Sequence, residues 1–213
     1  MFYPSNFTSK KIIMRTFFKR YSIFQLFKLV IDVFRTKFTF NKAKILRFPI
    51  DIRGKRFICV KKGFVTGRYC RLEAYPENDE KVLFFGENVQ INDFVHITAM
   101  KSVVIGNNVL IASKVYISDC SHGSYLGDAN DSSPKSNPSD RKLFSKVVNI
   151  EDNVWLGELV SVLPGITIGK GTIVGANSVV SRSLPPYVIA VGVPAKPIKK
   201  FNFNTNKWEI IKN

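Results

Sequence analysis

Aliphatic side chains return at every sixth position along much of this chain. From Ile150 the series runs Ile150, Leu156, Val162, Ile168, Val174 and Val180. The next residue is often small or acidic (Glu151, Gly157, Gly169, Gly175, Ser181), and four positions beyond each repeat start stand Val154, Val160, Ile166, Thr172 and Ser178. The same phase occurs upstream at Phe85, Ile91 and Ile97 and, after a two-residue slip, at Ile105, Ile111 and Ile117. A degenerate run, Val60, Thr66 and Leu72, precedes them. A period of six fits neither a helix nor a plain alternating strand. It fits a short strand and a turn, repeated so that one aliphatic side chain per repeat points inward. Stacked repeats then bury a column that no single repeat could bury alone. Valine-rich strands of a sandwich would not hold register over six such hexads.

Two segments break the pattern. Residues 123–145 are polar and turn-rich and interrupt two in-phase runs; a long loop inside a regular solenoid points to function. Residues 1–45 carry helically spaced apolar positions, Ile12, Ile13, Phe17, Phe18, Tyr21, Phe24, Phe27 and Ile31, and predict a helix from Ser9 to Phe34. Residues 46–195 form the expected β-helix domain and 196–213 a basic, aromatic tail. Ser183-Leu184-Pro185-Pro186 and Gly192-Val193-Pro194 are expected to end the coil, because proline cannot donate to a strand ladder.

Charge changes this picture only at the N-terminal end. The formal net charge of +16 lies entirely within residues 1–72, where 18 Lys and Arg face two acids, Asp32 and Asp51. Three readings fit that block: a helix packed on the coil with solvated charges, an interfacial contact with anionic membrane through residues 1–45, or nucleic-acid binding, for which no motif is present. The stretch Ser22–Phe34 is too short to span a bilayer and contains Lys28 and Asp32. Cys59, Cys70 and Cys120 lack metal-type spacing and are expected to be reduced thiols. No signal peptide is expected, and the expected location is cytoplasmic, including the inner face of the membrane.

From Val60 onward the chain resembles the hexapeptide-repeat acetyltransferases. The resemblance is carried by Ile105-Gly106-Asn107-Asn108-Val109-Leu110-Ile111-Ala112, Asp152-Asn153-Val154-Trp155-Leu156-Gly157, Leu163-Pro164-Gly165-Ile166-Thr167-Ile168-Gly169 and Val191-Gly192-Val193-Pro194-Ala195-Lys196. Ser118-Asp119-Cys120-Ser121-His122-Gly123-Ser124-Tyr125 looks most like the polysaccharide and lipopolysaccharide O-acetyltransferases. The resemblance implies a mainly β fold, a left-handed parallel β-helix with the basic helical extension at its start. It also implies a homotrimer, a saccharide acceptor and acetyl-CoA as cosubstrate, without metal or nucleic acid.

Acyl transfer to a hydroxyl needs a base titrating near neutrality. His96 and His122 are the two histidines. His122 ends a regular coil before the long loop and matches the family's catalytic position; otherwise it is a surface histidine at a loop edge. His96 matches no catalytic position and reads as an exposed or interfacial side chain. By family position Asn92 contacts the acceptor, or else serves as a turn residue. Trp155 lines the cleft near the thioester arm, or else packs between subunits. Tyr125 and Arg141 of the loop are further acceptor candidates. Ala176 is expected to meet the pantetheine arm, with Ser181, Arg182, Lys196 and Lys199 near the nucleotide end, although each cation could simply be solvated. Met100 stands where galactoside enzymes carry an acid. Two further functions share this repeat. A γ-carbonic anhydrase would need three histidine ligands per site, and a non-catalytic trimeric scaffold would need no His122. N-acetylation of an amino-sugar nucleotide is the rival within acetyl transfer.

Overall fold

The computed structural model describes residues 22–212, which wind into a left-handed parallel β-helix of triangular section. Its strands fall on three sides, here A, B and C. Side A begins with Val65–Thr66, side B with Ile50–Arg53 and side C with Ile58–Val60. The hexad explains the stacking. Each repeat contributes one short strand, and its first aliphatic residue faces the same inward column as its equivalent one full coil later. On side A the register runs Thr66, Ile91, Ile111, Leu156, Val174, Ala190. Side B aligns Leu72, Ile97, Ile117, Val162 and Val180, and side C aligns Val60, Phe85, Ile105, Ile150 and Ile168. These side chains are buried, and each large aliphatic one contributes about 2 kcal/mol of apolar transfer. Polar residues in the column are satisfied: the Thr172 hydroxyl donates to Pro185 O at 2.8 Å, and Ser178 Oγ accepts from Gly192 N at 3.0 Å.

The corners are tight and use left-handed backbone. Between sides C and A this falls on Asn88, Asn108 and Asn153, a residue type that tolerates it. Between sides A and B it falls on Asn177, on Lys114 and on three bulky residues, Tyr69, Phe94 and Leu159, each of these three at a cost of about 1 kcal/mol. Those three side chains project outward and are exposed.

The two-residue slip after Ile97 is a widened corner at Met100-Lys101-Ser102. Asp119, fully buried in the next coil, closes it by accepting from Met100 N at 2.8 Å, Lys101 N at 2.7 Å and Ser102 N at 2.7 Å.

Four sequence expectations need correction. The helix, α1, runs Ile23–Thr39; Ser22 starts it with a capping box to Gln25 at 2.8 and 3.3 Å. It therefore ends beyond Phe34, while residues 9–21 of the expected helix lie outside the described residues. The pair Pro185-Pro186 does not end the coil. Leu184 bridges to Ile168, the prolines occupy a corner where no ladder donor is needed, and Val188–Gly192 continues side A beside Ile173 and Val174. The tail is likewise part of the sheet: Ala195–Asn202 folds back on Val188–Gly192, and Lys207–Ile210 pairs with Ala195–Asn202. Finally, the segment 123–145 is not all loop, because Leu143–Ser145 pairs antiparallel with Cys120–His122.

Candidate active site

His122 belongs to that two-stranded arm rather than to the coil, whose side B strand ends at Ser118. The arm stands on the corner between sides B and C. Gly123 (φ +102°) allows the chain to leave it sharply, and a Cβ there would lie 2.6 Å from Ser132 Oγ and 2.7 Å from Tyr125 Oη. The turn brings the Tyr125 hydroxyl back to donate to His122 O at 2.5 Å. Arg141 in turn donates to Tyr125 Oη at 2.8 Å and to Ser136 Oγ and Ser136 O at 3.0 and 2.9 Å. Tyr125 and Arg141 are thus joined to each other in a brace behind the His122 backbone. The imidazole is exposed and makes no hydrogen bond among the described residues.

Beside it opens a cleft of about 330 Å³ on side B, walled by Tyr116, Cys120, Leu143, Met100 and Arg53. At its base lies Glu73, only 4% exposed, which sequence reasoning missed. Its Oε1 accepts from Arg71 Nη2 at 2.6 Å, Tyr75 Oη at 2.9 Å and Arg53 Nη1 at 3.1 Å. Its Oε2 meets His96 Nε2 at 2.8 Å and Thr98 Oγ1 at 3.1 Å. Burial alone would raise the pKa of this carboxyl; the hydrogen bonds from His96, Tyr75, Arg71 and Thr98 outweigh it and bring it down to about 2. His96 is half-buried and paired with Glu73, and its ring packs in a T-shaped contact with Tyr116, so within one chain it is not the exposed side chain that was one of the two expectations. Burial pushes the Cys120 thiol up and so keeps it protonated near neutrality.

The other expected residues do not gather at this cleft within one chain. Asn92 and Ala176 stand on the corner between sides A and B, and Asn92 Oδ1 accepts from Gln90 Nε2 at 3.4 Å. Trp155 faces outward from side A, 48% exposed, beside Leu110. Side B thus lies between these residues and His122. Near the C-terminal end of the coil a groove of about 820 Å³ brings together Arg182, Lys196 and Lys200 over the Phe201 and Tyr187 rings. Lys199 and Ser181 do not line it. Lys200, the neighbour of Lys199, does line it.

Comparison with known proteins agrees with this architecture. Residues 148–182 match the family model described as bacterial transferase hexapeptide (six repeats). WbbJ of Escherichia coli, named as an O-acetyl transferase of lipopolysaccharide biosynthesis, is 47% identical over 191 residues, 90% of this chain and 96% of its own. The galactoside O-acetyltransferase of Escherichia coli is 33% identical over 120 residues, 56% of this chain and 55% of its own. A solved structure of a mutant of the N-acyltransferase AntD from Bacillus cereus superposes with a TM-score of 0.62 at 20% identity, covering 75% of this chain and 80% of that one, a likeness of fold. With near full-length similarity to one such relative and the match to the hexapeptide family model, the chain belongs to the hexapeptide-repeat acetyltransferases.

Proposed function

We propose that the protein transfers acetyl from acetyl-CoA to a sugar hydroxyl of a surface polysaccharide, an O-antigen or capsule, or of its precursor, with His122 as general base. The observation that carries this reading is the state of the groups around the cleft. Glu73 is held as a weakly basic carboxylate, Cys120 is held as a thiol, and His96 is occupied by Glu73. The exposed imidazole of His122, with no hydrogen bond among the described residues, is left as the cleft's candidate general base. In the step itself the imidazole removes the hydroxyl proton as the oxygen attacks the thioester carbonyl. The carbon–sulfur bond then breaks, and the imidazolium returns its proton to the departing CoA sulfur. Tyr116 offers a ring for the apolar face of a sugar, while Arg53 offers donors to its hydroxyls and Tyr75 Oη, whose proton goes to Glu73, offers an acceptor. Arg182, Lys196 and Lys200 suit the CoA phosphates.

The working unit on this reading is a homotrimer. Asn92, Trp155 and Ala176 lie away from His122 within one chain, so a neighbouring copy is needed to complete the site. The exposed Phe94 and Leu159, held in costly backbone on the corner that also carries Asn92, are apolar surface for such a contact. Chains carrying His122→Ala, refolded together with chains carrying Asn92→Ala, are expected to regain about a quarter of wild-type activity through sites of mixed parentage. Absence of any regain contradicts a shared site.

The acceptor is tested by thiol release from acetyl-CoA with a panel of neutral, acidic and amino sugars, free and nucleotide-linked. An O-acetyl product is cleaved by mild alkali; an alkali-stable product assigns N-acetylation instead. Absence of both thiol release and acetyl-CoA binding overturns the reading in favour of a scaffold.

A further inference from the structure

Helix α1 is mounted with its polar edge inward. Asp32 and Thr36 are its buried residues, 3% and 0% exposed. Asp32 accepts from Arg68 Nη2 at 2.9 Å and from Phe48 N at 3.3 Å, and Thr36 Oγ1 accepts from Leu46 N at 2.8 Å. Most of its apolar residues face the other way: Phe24, Phe27, Val30, Phe34 and Phe38 are each between 64% and 70% exposed, while Leu26 and Leu29 are half-buried. A helix whose aromatic stripe faces away from its own core has its burial partner elsewhere.

The charges around the stripe indicate what that partner is. Residues 22–47 contain six Lys and Arg and one acid, Asp32, which is already paired. Lys28 lies 4.6 Å over the Phe24 ring, Arg35 lies 3.9 Å over Phe48, and both border a cleft of about 420 Å³ with Arg68 and Tyr69. A second copy meeting this face would bring an identical set of cations to the contact. An anionic bilayer instead supplies phosphates for the cations and acyl chains for the phenylalanines. No helix among the described residues is long and apolar enough to cross a membrane, and a 17-residue helix of this kind lies in the interface plane.

We propose that the exposed face of α1 docks on an anionic lipid surface, with Phe27 and Phe34 entering the acyl boundary while Lys28 and Arg35 meet headgroup phosphates. Both phenylalanines lie outside the core cluster, so Phe27→Asp with Phe34→Asp leaves the coil intact. The full chain and this double variant are floated with vesicles of phosphatidylcholine alone and with about a third phosphatidylglycerol. The wild type is expected to float with the anionic vesicles, to float less with neutral ones and to be released by salt. The double variant is expected to lose at least about tenfold in partitioning while its thiol release with a soluble acceptor is unchanged. Failure of the wild type to float, equal recruitment by neutral vesicles or retention of the double variant overturns the proposal. A smaller particle mass for the double variant without vesicles also overturns it and assigns the face to a neighbouring copy.

Discussion

Replacing Glu73 by Gln should destabilise the protein at neutral pH and remove part of its acid sensitivity. The wild-type carboxyl titrates near 2 in the folded chain, against a reference value of 4.5. A depressed folded pKa means that the stabilisation is fully present above the unfolded value and is lost as pH falls through the folded one. The difference corresponds to roughly 3 kcal/mol at pH 7. Between pH 7 and pH 3 it should shrink by roughly 2 kcal/mol, because the folded carboxyl is still largely ionised at pH 3 while the unfolded one is not. Arg53 and Arg71 are partly open to solvent, so screening places the measured values at the lower end. Gln keeps the size and one acceptor but cannot match two arginines, a tyrosine and a histidine. Urea denaturation of both proteins across this pH range, at one fixed chain concentration, gives the difference curve directly, since every other carboxyl is common to both. Curves that stay parallel down to pH 3 would refute the assignment of Glu73 as a buried, charge-stabilised carboxylate.

Two further substitutions probe the coil. Asp119→Asn replaces a buried carboxylate that accepts from three consecutive backbone amides. It should cost about 3 kcal/mol in denaturant unfolding, whereas a loss below about 0.5 kcal/mol would show that the widened corner closes without it. Gly157→Ala places a Cβ 2.6 Å from Ala176 N and 2.9 Å from Val174 O. Because the obstruction is backbone, it should cost about 1–3 kcal/mol; it should also raise KM for acetyl-CoA if Ala176 meets the pantetheine arm, and an unchanged KM would speak against that contact.

The β-helix was legible because its cause is periodic. Each aliphatic position from Val60 to Val180 that keeps the six-residue phase is buried and stacked on its equivalent. Features depending on single side chains meeting across coils were not legible. Arg53 and Thr98 reach Glu73 only because parallel register sets residues 53, 73 and 98 side by side, with His96 in the row before, whereas Arg71 lies two residues away on the same strand. A faint signal existed: Asp32, Asp51 and Glu73 are the first three acids after a long basic stretch, and each pairs with an arginine. The prolines at Pro185 and Pro186 misled because the rule against proline in a ladder does not apply at a corner. The sequence places Tyr125 and Arg141 in the loop beside His122, but their mutual hydrogen bond depends on how that loop folds back at Gly123.

The most direct measurement is the rate of acceptor-dependent thiol release from acetyl-CoA in the wild type and in His122→Ala. The side chain is exposed and outside the core, so its removal should leave the coil and its melting temperature intact. Loss of a general base is expected to lower kcat at least about a hundredfold with little change in acetyl-CoA binding. Equal rates in the two proteins would contradict the assignment of His122.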